Sequence, residues 1–287
     1  MTTDNAEQGS RKPRPGRARV RRAAGMTVAL TFVVLGLTGC TNNSFTRLGF
    51  PDPITQQGKT VLTLWQGSWI SAFAVCALIW GLVLWAVIFH RKRRGDDRLP
   101  PQVRYNLPIE ILYTALPFVL IAVLFYYTAR DEDYIDTLTS NPNVTVNVVA
   151  YQWSWQFNYP QYNVTDNGVM YPGPLPLLEV PVGETVRFNL TSPDVIHSFW
   201  VPEFLFKRDV IPGHPNHFQV TLTHTGTYTG HCSELCGLYH SRMLFTVKVV
   251  SKQQFQQWVS ARQASSSTTT AITGSTAAKT ATRSVSK

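Results

Sequence analysis

One short stretch, residues 231–243, brings together two thiols, two imidazoles and a thioether. A mononuclear blue-copper centre needs one thiolate, two imidazoles and a weak axial thioether. The usual C-terminal part of that ligand set is supplied by Cys236, His240 and Met243. We expect the other imidazole from His197, because it lies in a segment rich in β-branched and aromatic residues and therefore on a neighbouring strand. The stretch is thus predicted to be a copper-binding loop.

Cys232 is one thiol more than a single copper ion requires. Cys232 and Cys236 are four residues apart, so both thiolates can bridge a pair of copper ions, each with one imidazole and one weak ligand. The weak ligands are then Met243 and a backbone carbonyl, as in a dinuclear, mixed-valence electron-transfer centre. Three alternatives stay open here: a disulfide between the cysteines, a Cys2His2 zinc site, and packing without a metal.

The basic residues of this chain indicate how it is oriented in a membrane, and they do not form a nucleic-acid-binding surface. The formal charge of +9 comes from residues 1–39, with seven Lys and Arg against two acids, and residues 91–104, with six against two. Over residues 128–260 the balance reverses to eleven acids against seven bases. Nucleic-acid binding is therefore not expected. The mildly acidic C-terminal part favours a basic partner through electrostatic steering.

The N-terminus has the features of an export signal. A basic region is followed by an apolar core from Met26 to Leu37 and then by Leu37-Thr-Gly-Cys40, which resembles a bacterial lipobox. We predict a signal peptide over residues 1–39, lipidation of Cys40, and an extracytoplasmic segment over residues 40–67. The alternative is an uncleaved membrane helix, which the arginine-rich flank also suits.

Two apolar runs, residues 68–89 and 107–127, are each long enough to cross a hydrocarbon core of about 30 Å as a helix. The connection between them, residues 90–106, is rich in Arg and Lys, which marks a cytoplasmic loop. We therefore expect a multi-pass protein of the bacterial cell membrane whose C-terminal part is extracytoplasmic. Cys76 lies within the first run and is interpreted as a small apolar packing residue.

Glu110 stands at the cytoplasmic end of the second apolar run. An ionisable side chain close to a membrane span is a functional candidate, often for proton movement. The alternative is an interfacial carboxylate exposed to water, and position alone favours that alternative.

From residue 143 the chain changes to short strands separated by Pro, Gly and Asn, as in an all-β sandwich or barrel. Strands are predicted at Val144–Tyr151 continuing through Tyr159, Leu178–Val182, Glu184–Thr191, Asp194–Val201, Asn216–Thr223, Gly226–Gly230 and Leu244–Val250. The copper-binding loop then joins two strands at one end of a rigid scaffold. The domain is assigned residues 128–262, including a short amphipathic helix with N-cap Ser251, and a disordered tail follows over residues 263–287.

The segment from Tyr151 to Phe157 carries aromatic residues at alternate positions. On a strand this pattern usually means core packing, which we expect for Trp155 and Phe157. Trp153 falls on the same side by simple alternation, so periodicity alone does not separate it from them.

Five motifs together resemble subunit II of the haem-copper cytochrome c oxidases, over residues 61–260. In chain order they are Glu110-x-x-Tyr-Thr-x-x-Pro117, Gln152-Trp-Ser-Trp155, Asp194-Val-Ile-His-Ser198, Lys207-Arg-Asp-Val-Ile-Pro-Gly213 and Cys232-Ser-Glu-Leu-Cys-Gly-x-x-His-Ser-x-Met243. The last motif is highly specific. The family implies a two-helix transmembrane hairpin followed by an all-β, cupredoxin-like Greek-key sandwich or barrel that carries a dinuclear copper centre, CuA.

Carried over residue by residue, the resemblance implies these roles: bridging thiolates Cys232 and Cys236, imidazole ligands His197 and His240, and weak ligands Met243 and the carbonyl of Glu234. It also implies that the Glu234 carboxylate helps bind magnesium at the contact with subunit I. Trp153 matches the tryptophan at which electrons enter. Glu110 matches the carboxylate at the mouth of a proton-uptake channel.

The resemblance implies an aa3-type or related oxidase, in which this subunit passes electrons from cytochrome c to haem in subunit I. The complex then reduces oxygen to water and pumps protons. Implied partners are subunit I and other oxidase subunits, membrane lipid, and either soluble cytochrome c or a membrane-bound cytochrome c domain. Four departures from the usual pattern leave the donor open: Tyr151, Ser154, His214 and His231. The rival hypothesis is a membrane-tethered cupredoxin that carries electrons or delivers copper outside an oxidase.

Overall fold

The computed structural model describes residues 44–91, 95 and 102–265. The predicted signal peptide and Cys40 lie outside these residues, as do most of the cytoplasmic loop and the tail beyond residue 265. Residues 44–48 form a turn of a separate N-terminal unit, and all elements below belong to the unit from Gly49 onward.

Two long helices come first, α1 at Gln56–Phe89 and α2 at Leu107–Asp136. Both are long and apolar enough to cross a membrane. Each begins at a capping side chain: Thr55 accepts a hydrogen bond from the Gly58 N–H at 2.8 Å, and Asn106 caps α2 in the same way. With 34 residues, α1 is about 51 Å long at 1.5 Å per residue, so it extends well beyond the predicted span at residues 68–89.

Side-chain amides join the N-terminal end of α1 and the C-terminal end of α2, here called the outer ends of the helices, to the domain that follows. The Gln57 carbonyl accepts a hydrogen bond from the Thr221 N–H at 3.1 Å. Gln219 accepts from the Thr139 N–H at 3.0 Å and donates to the Thr137 carbonyl at 3.1 Å, just after the end of α2. These bonds fix the C-terminal domain against the two helices.

The C-terminal domain is a sandwich of two five-stranded sheets. Its strands are β1 Val144–Tyr151, β2 Ser154–Tyr159, β3 Val164–Asn167, β4 Leu177–Pro181, β5 Thr185–Thr191, β6 His197–Trp200, β7 Lys207–Val210, β8 Asn216–Thr221, β9 Gly226–Cys232 and β10 Leu244–Val250. One sheet has the order β3-β2-β1-β5-β8 and the other β4-β10-β9-β6-β7. The predicted fold class, two long apolar helices followed by an all-β sandwich, is confirmed.

An aromatic cluster fills the space between the sheets. Trp155 and Phe199 contact each other edge to face with ring centroids 5.8 Å apart, and Phe245 lies 5.1 Å from Trp155 and 4.9 Å from Phe199. All three side chains are buried. The Trp155 indole N–H also donates to the Met243 carbonyl at 3.4 Å, so the core supports the loop that is predicted to bind copper.

Two strands were not predicted, β3 and β7. Each has only four residues and carries mostly polar side chains, so neither shows an apolar period of two. The strand predicted from Asp194 begins instead at His197, because the Asp194 side chain bonds to nearby backbone N–H groups before the strand starts. These differences leave the sheet around the loop as expected.

The predicted C-terminal helix is present over residues 252–265. The Ser251 hydroxyl accepts a hydrogen bond from the Gln254 N–H at 3.2 Å, which confirms the N-cap. Phe255 is 1% exposed and packs on the sandwich, while Arg262 pairs with the buried Asp166 at 2.5 Å. The helix therefore continues past residue 262, where the tail was predicted to begin.

Candidate metal centre

Residues 233–243 form the loop between β9 and β10, two adjacent antiparallel strands. The Cys232 N–H donates to the Met243 carbonyl at 3.0 Å and closes the base of the loop. His197 is the first residue of β6, the other neighbour of β9, and Phe199 lies directly opposite Cys232. Since residues two apart on a strand share a face, the His197 ring points to the same side as the Cys232 thiol.

Two thiols lie at the centre of the site, and each has its own imidazole. Cys232 Sγ and Cys236 Sγ are 3.7 Å apart. His197 Nδ1 lies 3.7 Å from Cys232 Sγ, and His240 Nδ1 lies 3.5 Å from Cys236 Sγ. The four residues predicted as strong ligands are therefore brought together.

Each thiol also has one weak donor beside it. The Met243 thioether sulfur lies 3.8 Å from Cys236 Sγ, and the Glu234 carbonyl oxygen lies 3.3 Å from Cys232 Sγ. Met243 is completely buried. The two halves of the site thus have matching donor sets, a thiol, an imidazole and one weak donor.

The donor atoms fit a soft metal better than the alternatives. Cys232 and Cys236 are both free, and their sulfurs are far beyond the S–S length of about 2.05 Å in a disulfide. The thiols and the His197 ring are at most 6% exposed, and their ligand atoms lie within 4.8 Å of one another. A tetrahedral zinc site would use four ligands and leave the buried thioether without a function. The chemistry of the donor set therefore favours copper.

The two thiols differ in acidity because of their surroundings. Burial raises the pKa of Cys232, but hydrogen bonds from His197 and from nearby backbone outweigh it and lower the pKa below its ordinary value. At Cys236, burial and then the charge of the adjacent Cys232 thiolate both raise the pKa. A metal cation bound between the two sulfurs would favour the thiolate form of both.

Asp194 orients the His197 imidazole. Its Oδ1 lies 2.9 Å from His197 Nε2, and its Oδ2 accepts a hydrogen bond from the Gln152 N–H at 2.7 Å. Although burial acts in the opposite direction, these bonds lower the pKa of Asp194. For His197, burial lowers the pKa, but the contacts of the ring with Cys232 and Asp194 outweigh burial and raise it. A carboxylate on Nε2 leaves Nδ1 facing Cys232, as in the outer shell of many metal sites.

Trp153 lies in the two-residue turn between β1 and β2, where Tyr151 is paired with Ser154. Its indole N–H donates to the Cys236 carbonyl at 3.3 Å, and the Gln152 side-chain amide donates to the same oxygen at 2.8 Å. Trp153 is half-buried, unlike the fully buried Trp155. The turn removes Trp153 from the strand alternation that the sequence suggested and places it against the metal-binding loop.

The Glu234 side chain lies apart from the thiols that its carbonyl contacts. Its Oε2 is 3.8 Å from Lys207 Nζ, and this side chain is 46% exposed. Lys207 Nζ also donates to the Ser233 carbonyl at 3.4 Å. The carboxylate is therefore accessible from outside the loop and has a cation beside it.

His231, the other imidazole of the loop sequence, lies outside the ligand cluster. It precedes Cys232 on β9 and therefore points to the opposite face, where its ring centroid is 5.5 Å from that of Trp200. Burial lowers the pKa of His231. Strand alternation explains why only one imidazole of this stretch reaches the thiols.

Glu110 lies in the first turn of α2, the end of that helix farther from the sandwich. Its Oε1 accepts a hydrogen bond from the Asn106 N–H at 3.0 Å, and the Asn106 side chain accepts from the Ile109 N–H at 3.4 Å. This reciprocal arrangement resembles a capping box. The structure thus gives Glu110 a part in starting the helix and does not bring it to the metal centre.

Three further residues lie at the site without a predicted role: Asp194, Gln152 and Tyr239. The Asp194 signal was its position three residues before His197, within a quoted motif. Gln152 likewise stands within a quoted motif, next to Trp153, whereas Tyr239 offered no such signal because its contact depends on the turn that carries Trp153.

Comparison with known proteins gives consistent matches. The family described as cytochrome C oxidase subunit II, periplasmic domain, matches residues 144–250, from the first residue of β1 to the last of β10. A probable cytochrome c oxidase subunit 2 of Streptomyces avermitilis is 46% identical and covers 90% of this chain and 90% of its own length. Cytochrome c oxidase subunit 2 of Mycobacterium tuberculosis is 32% identical over 86% of this chain and 84% of its own length.

Among solved structures, the periplasmic domain of subunit II of cytochrome oxidase (CoxB) of Bradyrhizobium japonicum is 31% identical to this chain. The match covers 45% of this chain and 99% of that domain, with a TM-score of 0.42.

Proposed function

The chain belongs to the cytochrome c oxidase subunit II family, and we propose that it takes single electrons from a c-type cytochrome and passes them to haem in subunit I. The carrier is a dinuclear copper centre held by the loop between β9 and β10 and by His197. Reduction of oxygen to water and proton pumping are activities of the assembled oxidoreductase.

The main support for this proposal is that the ligand atoms form two matching sets, one around each thiol. The thiols of Cys232 and Cys236 lie 3.7 Å apart, each beside one imidazole and one weak donor. A single ion would need both imidazoles directed at the same point. Two equivalent halves around two thiols suit two ions bridged by both sulfurs.

The residues of this chain hold the ligands in place and keep water away. Cys232 and Cys236 would bridge the ions, with one imidazole each from His197 and His240 and weak ligation by Met243 and the Glu234 carbonyl. Bound copper supplies reversible one-electron transfer with small changes in metal–ligand distances. Movement of the ligands is restricted by burial of the two thiols, the His197 ring and the Met243 thioether, by pairing of β6 with β9, and by the Asp194 hydrogen bond.

Trp153 is proposed to be the residue through which electrons reach the centre. Its half-buried indole donates a hydrogen bond to the carbonyl of Cys236, a bridging ligand in this proposal. This bond gives a short covalent and hydrogen-bonded route from the surface to the thiolate. The donor is either a soluble cytochrome c or a membrane-bound cytochrome c domain.

The remaining assignments follow from the family for Glu110 and Glu234, and from the sequence pattern for the membrane segments and Cys40. Glu110 is proposed at the mouth of a proton-uptake channel, in addition to its bond with Asn106. The exposed Glu234 carboxylate is proposed to share magnesium with subunit I, which requires the Lys207 ammonium to move away because it would repel the metal cation. Residues 68–89 and 107–127 are proposed as membrane spans with the sandwich outside the cytoplasm, and Cys40 as a lipidated N-terminus after signal-peptide removal.

Replacing Cys232 by Ser tests the bridging assignment. We expect the Cys232→Ser chain to lose the delocalised dinuclear EPR signal and to fall from two copper ions per chain to one or none, because the hydroxyl is a poor bridging ligand for copper. Cys76→Ser, which changes an exposed thiol on α1, is the matched control. An unchanged dinuclear signal in Cys232→Ser would refute the bridging role.

A copper carrier outside any oxidase is the alternative function. A copper carrier would need the copper-binding loop between β9 and β10, but it would have no use for the hydrogen bond from Trp153. Purification of the full chain from membranes under mild conditions separates the two. Co-purification of haem-bearing subunits is expected for the oxidase, and a chain that never carries haem would favour the alternative.

A further inference from the structure

Tyr239 makes a direct ring contact with Trp153. The two ring centroids are 4.9 Å apart with planes 87° to each other, an edge-to-face arrangement. Such contacts have a preferred geometry because the positive edge of one ring meets the negative face of the other. Tyr239 belongs to the metal-binding loop, immediately before His240, so the loop itself supports the indole.

The half-buried indole also packs against the core of the sandwich. Its one hydrogen bond, to the Cys236 carbonyl, is 3.3 Å long and therefore at the weak end of the range. On its other side it packs on Gly237, where an added Cβ would lie 3.2 Å from Trp153 Cζ2 and where φ is +122°. The backbone of Gly237 and the ring of Tyr239 thus bound the indole and keep its N–H directed at the carbonyl.

Arg242 holds Tyr239 in turn. The guanidinium carbon lies 5.3 Å from the centroid of the Tyr239 ring, within cation–π distance. The Arg242 carbonyl accepts a hydrogen bond from the Tyr171 N–H at 3.1 Å, which anchors this part of the loop to the connection between β3 and β4. Arg242, Tyr239 and Trp153 therefore form a continuous series of side-chain contacts.

We propose that Tyr239 and Arg242 are positioning residues for electron transfer into the copper centre. Tyr239 keeps the Trp153 indole in hydrogen-bonding orientation, and Arg242 keeps Tyr239 in place. This inference rests on the proposed function of Trp153. In each transfer the donor haem loses one electron and the copper centre gains it, while Trp153 and Tyr239 keep their own electrons and protons.

The test uses membranes containing the assembled oxidase with its resident c-type cytochrome, reduced by ascorbate through tetramethyl-p-phenylenediamine. Oxygen uptake gives turnover, and optical spectra give the steady-state reduction of the c haem and of the copper centre. In Tyr239→Leu we expect turnover to fall roughly threefold to tenfold, the range that loss of one aromatic edge contact implies. The c haem should become more reduced and the copper centre more oxidised, with copper content and EPR signal unchanged.

Three variants make the outcome specific. Tyr239→Phe keeps the ring and should restore most of the turnover. Arg242→Gln removes the cation and should give a smaller shift in the same direction. Tyr228→Leu is the control: it removes a half-buried tyrosine of β9, outside the loop that carries Tyr239, and should leave the reduction levels of haem and copper as in the wild type.

Different results would overturn the positioning role of Tyr239 and the electron-entry role of Trp153. If Trp153→Leu shows the shift in reduction levels and Tyr239→Leu does not, the positioning role is wrong and the function of Trp153 stands. If neither variant shifts these levels, both are wrong. A Tyr239→Leu chain whose EPR signal changes without any shift in reduction levels would also overturn the positioning role, because the tyrosine would then shape only the copper site.

Discussion

Asp194 illustrates how a residue that donates nothing to the metal can control a ligand. The carboxylate joins His197 Nε2 to the backbone of Gln152, the residue before Trp153. The same side chain therefore orients the His197 imidazole and fixes one side of the turn that holds Trp153, the proposed electron-entry residue. Its effect on the metal operates through orientation and charge.

Replacing Asp194 by Asn should weaken copper binding without unfolding the domain. The amide keeps the size of the side chain but removes the negative charge that supports the His197 ring. We expect a loss of roughly tenfold or more in copper affinity, measured by competition with a chelator, together with an altered EPR signal. Asp133→Asn, an exposed aspartate on α2, is the charge-matched control. Equal affinities and equal spectra in the two variants would show that Asp194 has no such role.

At the scale of elements, the loop could be predicted because its information is local. Cys232, Cys236, His240 and Met243 lie within twelve residues, and ligand chemistry alone made the segment stand out. The strands on both sides, β9 and β10, were also predicted, although β9 continues to Cys232 rather than ending at Gly230. Spacing along the chain was therefore sufficient for four of the proposed ligands.

Contacts between distant segments could not be predicted in this way. The turn at Gln152 and Trp153 lacks the Asn-Gly or Asp-Gly pair that marks most two-residue hairpins, so the sequence suggested one continuous strand. The partners of that turn, Asp194 and the Cys236 carbonyl, are 42 and 84 residues away from Gln152. Such pairings depend on the packing of the two sheets and leave no periodic signal.

The C-terminal helix, residues 252–265, is an element whose stabilising contacts concern packing rather than the metal. Phe255 lies against Tyr162 at 5.6 Å and Trp258 at 5.8 Å between ring centroids. Phe255→Ala should lower the free energy of unfolding by about 3 kcal/mol, because it removes a buried aromatic side chain and leaves a cavity. Urea unfolding of the full chain in detergent, followed by tryptophan fluorescence, measures this.

Gln257→Ala, at an exposed position of the same helix, controls for helix propensity and should change stability by less than about 0.5 kcal/mol. Similar unfolding midpoints for Phe255→Ala and Gln257→Ala would mean that the helix contributes little to the sandwich.

At the scale of the whole molecule, charge and helix length together determine the proposed topology. The loop between the apolar runs is strongly basic, whereas the sandwich region is mildly acidic. Basic loops are retained on the cytoplasmic side, and two spans return the chain to the side on which it began. The sandwich, tied to the outer ends of both helices, should therefore lie outside the cytoplasm, where a c-type cytochrome can reach it.

Cysteine labelling in intact cells tests this arrangement. Thr227→Cys, on an exposed position of β9, should react with a membrane-impermeant maleimide, because the sandwich faces outward. Val103→Cys, 74% exposed between the helices, should react only after the membrane is opened. The wild-type chain gives the background from its native cysteines. Labelling of Val103→Cys but not of Thr227→Cys in intact cells would reverse the topology and remove the proposed donor from reach of the copper centre.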